Sequence, residues 1–163
     1  MPTLPPAGGP REHPEHFVPL GLDSPGTTVG LTGLCPLEIV TPPAMDLRRA
    51  PGVLQVWLEL PGGCALDSGR PVVYRVRGSE AGLLFERDGE IVEVREARIP
   101  LELQYEPRRV TAPPAAAEMS LDLSFWYRID GGAPVAQDVQ WRQPVRYTRT
   151  GATHLELRFG LVV

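Results

Sequence analysis

The sequence predicts an all-β domain, an antiparallel sandwich of two sheets built from about seven to nine short strands. Three observations carry that prediction. Apolar residues recur at every second position in several separate runs, the spacing that lines one face of an extended strand. Glycine, proline and aspartate punctuate the chain between those runs, at roughly ten-residue spacing. No segment longer than a turn carries a helical period, and the alanine-rich residues 112–117 contain Pro113 and Pro114, which forbid a helix interior. A small closed barrel is the alternative arrangement of the same strands.

Residues 1–16 are rich in Pro, Gly, Glu and His, with almost nothing apolar to bury, and read as a flexible arm. Residues 17–163 then make one β-sandwich domain, within the usual span of about 100–200 residues per domain. In residues 17–34 apolar side chains return, but Gly21, Pro25, Gly26, Gly30 and Gly33 leave room for one short edge strand at most. The repeating signal begins at Val53. Leu54, Val56, Leu58 and Leu60 share a face, and Pro61-Gly62-Gly63 stops the run. Val72, Tyr74 and Val76 alternate with Arg75 and Arg77. Residues 83–85 and 90–94 flank Asp88-Gly89, a pair suited to a tight hairpin because both central positions need positive φ.

Ile99, Leu101, Leu103 and Tyr105 alternate next, and Pro100 marks an edge or a strand start. The cleanest strand places Met119, Leu121, Leu123, Phe125 and Tyr127 on one face and Ser120, Asp122, Ser124 and Trp126 on the other. Asp130-Gly131-Gly132 turns the chain into a strand over residues 135–141. Leu155, Leu157, Phe159, Leu161 and Val163 close the series, alternating with His154, Glu156 and Arg158.

Composition narrows the chemistry. All sixteen basic side chains are arginine, so no lysine is available for a Schiff base, a phosphate-binding loop or a general base. A net charge of −4 argues against a general nucleic-acid binder. The charge is uneven: from Phe125 onward five arginines face three acids, whereas the first 124 residues carry eleven arginines and seventeen acids. Such a split can steer an acidic partner or support head-to-tail association. No run approaches the roughly 20 apolar residues of a membrane span. The opening residues show no secretory pattern, so the expectation is a cytoplasmic protein, or an exported one if Met1 is not the native start.

The candidate functional residues are few. Cys35 and Cys64 each stand beside a turn residue, and are either a disulfide or redox pair, or two small buried apolar side chains. Joined, they would stabilise the fold by roughly 3–4 kcal/mol in the chain-entropy picture. His13 and His16 lie in the arm without further ligands nearby, so no metal site is expected. Five serines, none in a nucleophile elbow, and one histidine in the folded region leave no complete hydrolytic set. The chain is therefore expected not to be an enzyme and to need no cofactor. Trp57 and Trp126 oppose the core faces of their strands, and with Arg128 and Trp141 they mark a candidate binding face.

Three stretches carry a family resemblance: Leu58-Glu59-Leu60-Pro61-Gly62-Gly63 followed by Arg70-Pro71-Val72-Val73-Tyr74-Arg75-Val76; Ile99-Pro100-Leu101-Glu102-Leu103; and residues 121–127 with Gln140-Trp141-Arg142-Gln143-Pro144-Val145. In that order they resemble the immunoglobulin-like amino-terminal domain of bacterial thiol–disulfide interchange proteins. They also resemble the related β-domain that follows NHL repeats in thioredoxin-like proteins. The resemblance covers residues 53–163 and implies an immunoglobulin-like sandwich. Its redox cysteines have no counterpart here, where the corresponding segments read Trp126-Tyr127-Arg128 and Gly132-Ala133-Pro134. Disulfide exchange is not implied, because the thiolate is the reacting group.

The functional expectation is a non-catalytic interaction or assembly module that docks onto a protein partner or onto itself through a sheet face or edge. The apolar last strand is a candidate for pairing between chains if it lies at an edge. Two alternatives stand beside it: a thiol–disulfide redox protein using Cys35 and Cys64, and a carbohydrate-binding module using exposed tryptophans.

Overall fold

The computed structural model describes residues 37–108 and 116–163, together with residue 31. The arm at residues 1–16 lies outside these, as does nearly all of residues 17–34. Every regular element among the described residues is a strand: β1 (Leu37–Val40), β2 (Met45–Leu47), β3 (Gly52–Glu59), β4 (Cys64–Leu66), β5 (Val72–Arg77), β6 (Leu83–Phe85), β7 (Val92–Val94), β8 (Leu101–Pro107), β9 (Ala116–Ile129), β10 (Val135–Tyr147) and β11 (His154–Gly160).

They form two sheets. The larger runs β1-β10-β9-β5-β7, with β2 also on β10 and β4 also on β9; the smaller runs β11-β3-β8-β6. The sheets pack face to face through the alternating residues that the sequence singles out. Leu54, Val56 and Leu58, Met119 to Tyr127 at odd positions, and Leu155, Leu157 and Phe159 are all buried. Phe159 of β11 meets Phe125 and Trp141 of the larger sheet edge-on, with ring centroids 6.2 and 6.3 Å apart. The result is a β-sandwich with an apolar seam between its layers.

The sheets are mixed rather than purely antiparallel. β1 and β2 run parallel to β10, and β11 runs parallel to β3. The cause is connectivity: these strands reach their neighbours by crossing over, not by a tight turn, and a crossover permits parallel pairing. The count of eleven exceeds about seven to nine because β1, β2 and β4 are only three or four residues long, too short for alternation to reveal.

The Asp88-Gly89 hairpin does not form. β6 pairs with β8 in the smaller sheet, whereas β7 pairs with β5 in the larger one. Only one of the two turn positions has positive φ: Gly89, at 79°. Its N–H donates to the Val76 carbonyl at 2.7 Å, and the Asp88 carboxylate accepts the Gly78 N–H at 2.8 Å. The turn is thus fastened to the end of β5 and carries the chain from one sheet to the other. At Asp130-Gly131 the expected hairpin does form. Both residues have positive φ, 48° and 71°, and the Gly132 N–H closes onto the Ile129 carbonyl at 2.8 Å.

β10 runs on past residue 141 through Pro144. A proline is tolerated there because β1 pairs with β10 up to Trp141 and β2 resumes only at Val145, leaving a gap along that flank. The buried Gln143 amide fills the gap, donating to the Pro43 and Pro144 carbonyls at 2.9 and 2.8 Å. Among the described residues no helix is long and apolar enough to cross a membrane.

Candidate functional site

The structure does not gather Trp57, Trp126, Arg128 and Trp141 on one face. Trp141 is fully buried between the sheets, so it belongs to the core and not to a binding surface. Its position shares parity along β10 with Val139 and Val145, which are buried as well. Trp126 lies on the outer face of the larger sheet and Trp57 on the outer face of the smaller one.

Trp126 and Arg128 do come together, around a residue the sequence did not mark. The Asp67 N–H donates to the Trp126 carbonyl at 2.8 Å, which places the Asp67 side chain beside β9. Its carboxylate lies 3.3 Å from Arg128 Nε and 3.4 Å from Arg70 Nε, and accepts the Gly69 N–H at 3.2 Å. Burial alone would raise the Asp67 carboxyl; the Gly69 N–H and the two guanidinium groups override it and hold it below the ordinary carboxylate value. Arg70 then stacks over the Trp126 ring, 4.1 Å from its centroid. A cleft of about 170 Å³ opens here, lined by Leu66, Asp67, Ser68, Arg70, Glu96 and Trp126. Any ring stacking on that indole face must first displace Arg70.

Trp57 is arranged similarly. Arg158 of β11 lies 5.1 Å over its ring while pairing with Glu59 at 3.0 Å and Glu156 at 3.2 Å. The outer face of the larger sheet also carries a polar row. Asp122 accepts both Arg75 Nε and Nη2, at 3.1 and 2.9 Å, and the Gln140 amide at 2.6 Å. Beside it the Ser124 hydroxyl donates to Asp138, and both residues are buried. His154, the one histidine among the described residues, lies on the exposed face of β11 in the other sheet.

The third feature is the edge of the smaller sheet. Among the described residues β11 has one strand neighbour, β3. In that parallel ladder the Val53 N–H donates to the Thr153 carbonyl at 3.1 Å and the Leu161 N–H to the Glu59 carbonyl at 3.0 Å. Odd-numbered residues of β11 therefore turn their backbone groups toward β3, and His154, Glu156, Arg158 and Gly160 turn theirs away. Those four residues are exposed.

Cys64 is half-buried on β4 at the margin of the core. Cys35 lies outside the described residues, so the pair forms no described site. Among the described residues no group of three or more His, Cys, Asp or Glu could hold a metal ion. Comparison with models of known protein families finds no match, and comparison with curated proteins finds none either.

Proposed function

We propose that this chain is a non-catalytic β-sandwich that assembles by strand addition at β11, with a second copy of itself as the first candidate partner. The single observation that carries this reading is the outward-turned backbone of His154, Glu156, Arg158 and Gly160 on a seven-residue edge strand. Among the described residues those groups meet no strand, and an unpaired edge of this length invites another strand.

The side chains favour a copy of the same strand. Set antiparallel about a twofold axis at Leu157, Glu156 of one copy stands opposite Arg158 of the other, and the reverse holds by symmetry. Both members of that pair have outward backbone groups, so they also form a hydrogen-bonded pair. Opposite charges across an antiparallel pair contribute about 0.2–1 kcal/mol each. The contact is a small one, so the association is concentration-dependent. The resemblance to immunoglobulin-like domains without their redox cysteines fits such a docking role.

Analytical ultracentrifugation across a concentration series tests the reading. The weight-average mass should rise toward a dimer in the wild type and stay monomeric in Arg158→Glu, which sets like charges opposite. The swap Glu156→Arg/Arg158→Glu should restore association. A strictly monomeric wild type that also brings down no protein partner would end the proposal.

A further inference from the structure

At the end of the sandwich away from the Asp67 cleft's residues, Arg48, Arg49, Tyr147, Thr148 and Arg149 line an open pocket of about 370 Å³. Its framework is tightly held. The Thr148 N–H donates to the Leu47 carbonyl at 2.9 Å, the Ala152 N–H to the Asp46 carbonyl at 3.0 Å, and the Arg48 N–H to the Ala152 carbonyl at 2.9 Å. Gly151 packs so closely on this strand that a Cβ there would lie 2.3 Å from the Leu47 carbonyl carbon. The loop carrying Arg149 is thus clamped to the segment carrying Arg48 and Arg49. On the remaining wall Arg49 lies 4.8 Å over the Tyr147 ring, and the Tyr147 hydroxyl donates to the Ala81 carbonyl.

The charge of this pocket is uncompensated. Among the described residues none of its three arginines has a carboxylate partner. The neighbouring acid, Asp46, is taken by Arg146 at 3.0 Å. No Asp or Glu lines the pocket. The Thr148 hydroxyl, also part of its wall, is buried and has no hydrogen-bond partner. Other described arginines such as Arg77 and Arg98 are likewise without a carboxylate partner, but here three of them line one pocket. Three arginines without carboxylate partners among the described residues thus line one pocket that holds no acid.

We propose that this pocket binds the phosphoryl group of a small phosphorylated molecule. Guanidinium forks match the oxygens of a phosphate two at a time. A dianion is favoured over a carboxylate because three arginines line the pocket with no acid among them. The pocket falls in the size range of about 300–1,000 Å³ that holds small ligands, leaving room for a sugar-sized body beyond the phosphate. The site is independent of the β11 edge and needs no second copy.

Isothermal titration calorimetry on the full chain tests it, with inorganic phosphate, pyrophosphate, ribose 5-phosphate and acetate as probes. The phosphate-bearing probes should bind saturably and more weakly as salt rises, whereas acetate should not bind. Arg49→Gln/Arg149→Gln should weaken pyrophosphate binding about tenfold or more while the ligand-free melting temperature stays near wild type. Tighter binding of ribose 5-phosphate than of phosphate assigns the site to a phosphomonoester; equal binding assigns it to the free anion. No saturable binding, acetate binding as well as pyrophosphate, or affinity unchanged in the double variant would overturn the proposal.

Discussion

The indole N–H of Trp141 donates to the backbone carbonyl of Arg158 at 3.2 Å, joining the interior of the larger sheet to the outward edge of the smaller one. Trp141 is wholly buried and meets Phe159 edge-on, so one side chain fills the seam and fixes where β11 lies. The Arg158 carbonyl keeps a second lone pair for an incoming strand. β11 is therefore held by β3 on one side and, through the outward Arg158 carbonyl, by Trp141 as well, while the outward N–H groups of Glu156 and Arg158 meet no strand among the described residues.

Replacing Trp141 with Phe keeps the ring packing and removes that donor. The expected loss is about 1–3 kcal/mol, from the missing hydrogen bond together with the lost indole volume. Urea unfolding followed by far-ultraviolet circular dichroism measures it, and the midpoint should fall without a change in slope.

Gly151→Ala forces a methyl group against the Leu47 carbonyl. Backbone on both sides leaves nothing flexible to yield, so the variant should lose at least about 1–3 kcal/mol, the usual cost of overpacking. Thermal unfolding reads this directly. Gly62→Ala, where a Cβ meets nothing within 4 Å, should leave the melting temperature unchanged and serves as the control.

Acid should loosen the Asp67 cluster. The Asp67 carboxyl sits below its ordinary value of 3.8, so the folded state binds its proton less readily than the unfolded chain does. Its contribution is fully present above the unfolded value and disappears as pH falls through the lower folded one. Stability measured from pH 5 downward should therefore decline faster in the wild type than in Asp67→Asn, with the difference confined to the region below about pH 4.

Much of the fold was legible because alternation reports directly on which face of a strand is buried. Met119 to Tyr127 and Leu155 to Phe159 lie where that pattern put them. Strand partners were less legible, since local turn chemistry does not record which sheet a strand joins. At Asp88-Gly89 only Gly89 takes the positive φ of a hairpin turn, and Val76 and Gly78 anchor the pair as a crossover between sheets. The surface residues suffered from the same locality. Parity with Val139 and Val145 would have placed Trp141 inside; its indole type alone suggested a binding face. The Arg70 and Asp67 companions of Trp126 sit on another segment altogether, and the arginines of the pocket come from two segments about a hundred residues apart, brought together by the pairing of β2 with β10 and the clamp between Leu47 and Ala152. No spacing motif announces either cluster.

Amide hydrogen exchange along β11, resolved by nuclear magnetic resonance at low and high protein concentration, tests the assembly account most directly. At low concentration the amides of Leu155, Leu157 and Phe159 should be protected by β3, while those of Glu156 and Arg158 exchange fast. At high concentration the Glu156 and Arg158 amides should slow markedly and the odd-numbered ones hardly change. Fast exchange at Glu156 and Arg158 under every condition, with any dimer forming elsewhere, would contradict it.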